Sequence, residues 1–273
     1  MKSIVVPVNF SVGCSNAARY AADLALAIQG ELHLIHVLQM PFTYAEMPMP
    51  DTVFDDLRES AINKLDNLAV ELIRRTAGKV KVDTLLETGG VEYRIEKFCR
   101  KQEPFMVVMG AEGPLLGRMM GGTHTVTALH SLPYPLLVIP ETAGFHQIKK
   151  IVLACDLEDI GSGIGVAPSF LRELRDLFDA SFDVINVSTK NEEGQGQAIF
   201  EFDCWNRRLQ AIYPELHFVH SAKISEGIVQ YLEHHPADWL MVFPKKHSVP
   251  VLHSSQAKKI VLHSPVPVMS IHE

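Results

Sequence analysis

Residues 3–9 read Ser3-Ile4-Val5-Val6-Pro7-Val8-Asn9, and 147 residues further on the chain reads Lys150-Ile151-Val152-Leu153-Ala154-Cys155-Asp156. Both are short apolar runs rich in β-branched residues, the pattern of a strand buried on its two faces. Two further echoes follow in the same order. Residues 105–109 (FMVVM) return as 239–243 (WLMVF), and 132–141 (LPYPLLVIPE) as 264–273 (SPVPVMSIHE), at offsets of 134 and 132. The shrinking offset is that of a second copy with shorter loops, and the period is too long for a solenoid unit. The repeat predicts a duplicated domain, 1–144 and 147–273, joined by a linker near 142–147.

Working outward, residues 16–29 carry apolar side chains at helical spacing, with Ser15 or Asn16 placed to cap and Gly30 to stop the helix. Strands are expected at 4–8, 31–38, 81–87, 105–110 and 135–139. Further helices are expected at 51–77, 92–101 and 123–131, with a proline-rich loop at 40–50. The second copy repeats the order, with strands at 150–156, 181–186, 217–221, 239–243 and 266–271. Its helices are expected at 168–179, 197–212, 226–234 and 257–263. Strands alternating with helices imply parallel pairing, right-handed crossovers and helices on both faces. The fold class is therefore α/β: two tandem doubly wound parallel five-stranded sheets, Rossmann-like in plan.

Composition narrows the function. With 273 residues, 47% hydrophobic and 21% charged, the chain can bury a core. No uncharged apolar run approaches the roughly 20 residues that span a bilayer, and residues 1–7 read as a strand rather than a leader. A net charge of -7 opposes nonspecific nucleic-acid binding. Cys14, Cys99, Cys155 and Cys204 lie far apart with no C-x-x-C pair, so neither a zinc knuckle nor a disulfide framework is implied. A cytoplasmic protein is expected, with no membrane and no nucleic-acid partner.

In an open parallel sheet, ligands sit beyond the carboxyl ends of the strands where strand order reverses. The segment after the fourth strand then draws attention: Gly110-Ala111-Glu112-Gly113-Pro114-Leu115-Leu116-Gly117-Arg118-Met119-Met120-Gly121-Gly122-Thr123-His124-Thr125. Five glycines running from a strand into a helix suit a cradle of backbone amides for a phosphate. No Gly-Lys-Ser/Thr follows, so it is not a Walker loop.

These residues, with Pro7-Val8-Asn9-Phe10-Ser11 and Leu34-Ile35-His36-Val37, resemble the universal stress protein family over nearly the whole chain, as two tandem copies. The resemblance implies five-stranded parallel sheets and an ATP site with a Gly-x2-Gly-x9-Gly-Ser/Thr loop and an aspartate after strand one. By it, Gly110 and Gly113 fill the first glycine positions, and Gly122 and Thr123 the last. Thr125 is a further phosphate contact, and Pro7, Val8, Asn9, Val37 and Met109 line the adenine and ribose end. ATP or another adenine nucleotide, with or without magnesium, is the expected cofactor. Two departures stand out. Only eight residues separate Gly113 from Gly122, so the path tightens or the register moves to Gly121 or Thr123. Asn9 stands where the family has aspartate, and its amide neither ionises nor holds a divalent cation as strongly.

The second copy mixes these features the other way. Asp156 supplies the carboxylate, but the corresponding loop, 243–255 (FPKKHSVPVLHSS), has no glycine and two prolines. It is expected to be degenerate. Gly161-Ser162-Gly163-Ile164-Gly165 lacks the acidic strand end of a dinucleotide fingerprint.

His33 and His36, like His217 and His220, are three apart on strands and point to opposite faces, so no metal site is expected. No Gly-x-Ser-x-Gly elbow occurs, and Cys14 and Cys155 read as buried inert thiols. The expectation is a stress-response sensor or regulator with no catalytic residue and at most slow ATP hydrolysis. Its partners would be a nucleotide and unidentified proteins. The resemblance also implies an intramolecular pseudo-dimer, strand 135–139 against 266–271, and a homodimer as a further option. The alternative is a nucleotide-free interaction scaffold with both clefts degenerate.

Overall fold

The computed structural model describes residues 1–39, 51–111, 132–155, 168–188, 202, 212, 214–243, 260 and 264–271, with the backbone alone for residues 51 and 168. The chain divides into two compact units, Met1–Phe145 and His146–Glu273.

The first unit is built outward from β1 (Ser3–Pro7), every residue of which is buried. It lies between β2 (Glu31–Leu38) and β4 (Met106–Gly110), parallel to both, with Ser3 opposite Glu31 and Ile4 opposite Met106. Beyond β2 pairs β3 (Val82–Thr88), and beyond β4 pairs β5 (Leu136–Ile139), again parallel. The order is thus β3-β2-β1-β4-β5, with the reversal between β1 and β4. Crossover connections are carried by α1 (Val12–Ala27), α2 (Asp51–Arg75) and α3 (Val91–Gln102).

α1 packs through small residues. Cys14, Ala17, Ala18, Ala21, Ala22 and Ala25 are all buried, which lets the helix lie close to the sheet. It begins four residues before the expected Asn16, because Ser11 caps it: the Cys14 N–H donates to Ser11 Oγ at 3.3 Å. Asn16 has another task. Its amide donates to the carbonyls of Pro140 and Ala143 at 3.1 and 2.9 Å, tying the segment after β5 to the helix. Phe145 adds an edge-on contact to the buried Tyr20 ring, 5.2 Å away. On the outer side Arg75 forks onto Asp23, with its Nε donating to both carboxylate oxygens. This exposed pair adds no more than about 1 kcal/mol.

The second unit follows the same plan with β6 (Lys150–Ala154), α4 (Pro168–Phe178), β7 (Ser181–Ser188), β8 (Glu215–His220), α5 (Ile224–His234), β9 (Trp239–Val242) and β10 (Val268–Ser270). All pairings are parallel, in the order β8-β7-β6-β9-β10. Trp239, fully buried, meets Phe178 edge-on at 5.4 Å. Asp238 pins the start of this sheet: its carboxylate accepts the N–H groups of Lys149 and Lys150 at 2.6 and 2.8 Å, and it holds His146 Nε2 at 2.6 Å. Among the described residues, no helix is long and apolar enough to cross a membrane.

Candidate functional site

The carboxyl ends of β1 and β4 meet at the reversal point of the first sheet, where an open α/β sheet offers its crevice. β1 leads into a turn that its own side chains shape. Val8 is 5% exposed; its N–H donates to the Ile35 carbonyl at 2.9 Å, and its carbonyl accepts from His36 Nδ1 at 2.6 Å. A carbonyl only accepts, so Nδ1 carries the proton. Asn9 is exposed, and its Oδ1 accepts the Ser11 N–H at 3.0 Å, an Asx turn. Between them Phe10 takes the left-handed conformation, φ +63°, which costs a non-glycine residue about a kcal/mol or more. Its ring lies 4.6 Å from that of His36, with Lys64 Nζ 5.7 Å from its centre. Phe10 follows from its place just after β1, but its meeting with His36 and Lys64 is not revealed by sequence spacing, because only the folded crossover brings α2 over the β1 turn.

On the β4 side, Gly110 is glycine for a reason of packing. A Cβ there would stand 2.6 Å from both C and O of Gly13 and 2.9 Å from Cys14 N. The first turn of α1 therefore rests directly on the end of β4, and Ala111 N–H continues the ladder to the Ile139 carbonyl at 2.8 Å.

Of the nucleotide-site residues expected from sequence, Pro7, Val8 and Asn9 lie at the end of β1, Met109 and Gly110 at the end of β4, and Val37 on neighbouring β2. Val8, Val37 and Met109 are at most 8% exposed, so they offer a floor rather than projecting groups. Gly113, Gly122, Thr123 and Thr125 lie outside the described residues, as do Asp156 and residues 244–255 of the second unit.

The residue that follows β6 in the second unit makes the same two contacts as the residue that follows β1. The Cys155 N–H donates to the Ile185 carbonyl at 3.1 Å, and its carbonyl accepts from Asn186 Nδ2 at 3.2 Å. Cys155 thus answers to Val8, Ile185 to Ile35 and Asn186 to His36. Cys14, Cys99 and Cys155 are all buried. Burial, reinforced by Glu96, pushes the Cys99 thiol up to about 12, which leaves it protonated and inert as a nucleophile at neutral pH.

A family model described as the universal stress protein family matches residues 1–140. Among solved structures, a universal stress protein from Archaeoglobus fulgidus is similar over 99% of this chain and 96% of its own, with a TM-score of 0.73 at 15% identity. A putative universal stress protein from Pseudomonas aeruginosa UCBPP-PA14 is similar over 100% of this chain and 93% of its own, TM-score 0.60 at 15% identity. A functionally unknown protein from Pseudomonas aeruginosa PAO1 is similar over 100% of this chain and 92% of its own, TM-score 0.61 at 14% identity. At such identities the likeness is one of fold. No curated protein matches the chain.

Proposed function

We propose, from the premise that the chain belongs to the universal stress protein family, that its first unit binds an adenine nucleotide and works as a stress-response sensor or regulator. The observation that carries this reading is the turn at Asn9-Phe10-Ser11. Asn9 spends its Oδ1 on Ser11 and is exposed at the reversal point, where an amide donor matches the acceptor nitrogens of adenine or the oxygens of a ribose. The buried floor of Val8, Val37 and Met109 suits a planar base. Gly110, Gly113, Gly122, Thr123 and Thr125 are assigned to the phosphates, held by backbone amides and hydroxyls. Where magnesium accompanies the nucleotide, the phosphates are its main ligands, since Asn9 lacks the carboxylate.

The second unit is assigned no nucleotide, because its loop has prolines where amides are needed. No general base is assigned, and hydrolysis at most slow is part of the proposal. Binding then biases the protein by mass action on the nucleotide-bound form.

Isothermal titration with ATP tests the assignment: at most one site per chain is expected, abolished by Gly113→Val. Two sites of equal affinity would refute the degeneracy of the second unit. Denaturing the purified protein and chromatographing the supernatant separates sensor from scaffold. Absence of both released nucleotide and binding heat favours the scaffold.

A further inference from the structure

The sequence repeats one tripeptide out of step with the duplication. Glu31-Leu32-His33 opens β2, and Glu215-Leu216-His217 opens β8. The first is the second strand of its unit and the other the third, so duplication does not account for the match. Alternation puts Glu and His of each tripeptide on one face, and in both units the neighbouring strand adds an aspartate to that face: Asp83 on β3, Asp183 on β7. Each group offers a nitrogen and two carboxylate oxygens, all within 4.8 Å of one another. Both lie at the amino ends of the strands, away from the nucleotide crevice.

The separations are informative. His217 Nε2 faces both carboxylates, 3.6 Å from Asp183 Oδ2 and 3.8 Å from Glu215 Oε2. His33 Nε2 is 3.6 Å from Glu31 Oε1, and its Nδ1 is 3.5 Å from Asp83 Oδ2. These are too long for hydrogen bonds and close to the roughly 3.4 Å between ligands around a tetrahedral ion with bonds of about 2.1 Å. The Nε2 atoms of His33 and His217 are buried and lack a hydrogen-bond partner, and His33 as a whole is only 8% exposed. A buried, unpaired imidazole nitrogen beside two carboxylates is an uncompensated cost that a ligand removes. Ammonium groups stand by the acids: Lys81 Nζ is 2.6 Å from Asp83 Oδ2, and Lys150 Nζ is 2.7 Å from Asp183 Oδ2. Tyr231 donates to the same Asp183 oxygen at 2.9 Å.

We propose that Glu31, His33 and Asp83 in the first unit, and Glu215, His217 and Asp183 in the second, are two sites for a divalent transition metal of the zinc class. Imidazole with carboxylates selects this class over magnesium and calcium. Metal entry displaces the lysine at the first site, where Lys81 is largely exposed and free to swing away. At the second site the ring of His235 lies 5.9 Å from that of His217.

Titrating the metal-stripped full chain with zinc chloride near neutral pH, without nucleotide, tests this. Two equivalents are expected. His33→Ala and His217→Ala should each remove one and the pair of substitutions both, with circular dichroism confirming that the variants fold. Lys81→Ala should tighten the first site about tenfold by removing the competing charge. Cobalt(II) in place of zinc should give the visible absorption of a four-coordinate nitrogen and oxygen site. Magnesium at the same concentrations should give no heat. Zinc binding unchanged in the double variant would assign the metal to other histidines and overturn the proposal, as would no zinc heat into the millimolar range.

Discussion

Replacing Gly110 by alanine is a sharp probe of how the crevice is built. The added methyl carbon would sit 2.6 Å from the C and O atoms of Gly13 and 2.9 Å from Cys14 N. Carbon atoms not bonded to each other rest at about 3.5 Å or more, so the first turn of α1 must retreat by roughly 1 Å. The obstacle is backbone, which no rotamer change relieves. Retreat also loosens the contacts of Cys14, Ala17 and Ala18, all buried against the sheet. Overpacking of a tight core costs about 1–3 kcal/mol, and a backbone obstacle puts this case near 3. With a urea dependence of about 2 kcal/mol per molar, the unfolding midpoint of the first unit should fall by about 1.5 M. The probes separate the units: both tryptophans, Trp205 and Trp239, belong to the second. Far-UV circular dichroism should register the lost first-unit transition, while tryptophan emission reports the other unit. A midpoint drop below about 0.3 M would refute the packing account and leave phosphate approach as the reason for glycine.

Asp238→Ala should destabilise the second unit by about 2 kcal/mol, since two backbone donors lose a charged acceptor; Trp239 emission in urea measures it, and an unchanged midpoint would count against the pin. Alkaline pH should also weaken the fold. The Cys99 thiol, held up to about 12 by burial, and the Tyr231 phenol, raised by burial and its bond to Asp183, keep their protons in the folded state. The unfolded chain releases them first, so stability is full below about pH 9 and declines as pH rises toward 12. A flat profile of urea midpoint over that range, or one unchanged by Cys99→Ala, would contradict it.

The fold was largely legible because its inner strands are buried on both faces. Ile4, Val5 and Val6 are fully buried, and a strand so enclosed must be apolar without a break. The start of α1 was not. Val12 is 71% exposed and Gly13 is a poor helix former, so no apolar period marks the first turn, and Ser11 shows itself as the cap only through its bond to the Cys14 N–H. Asn16, a plausible cap by type, is claimed by carbonyls more than 120 residues away. At the crevice, the residues ending β1 and β4 followed from strand order, whereas Phe10, His36 and Lys64 meet only through the turn. The histidines show the same limit. His33 and His36 do point apart, but the partners of His33 are Glu31 on its own strand and Asp83 across the ladder, and cross-strand register is written in no single segment.

The alanine face of α1 has an evolutionary corollary. Ala17, Ala18, Ala21, Ala22 and Ala25 act as a spacer of fixed thickness between helix and sheet, and each is already the smallest side chain that keeps helical preference. Enlarging one wedges the layer open, and shrinking one to glycine softens the helix, so gradual adjustment of the gap has nowhere to begin. Diversification of what the crevice admits is thereby channelled into the surrounding loops, while the platform beneath them stays frozen.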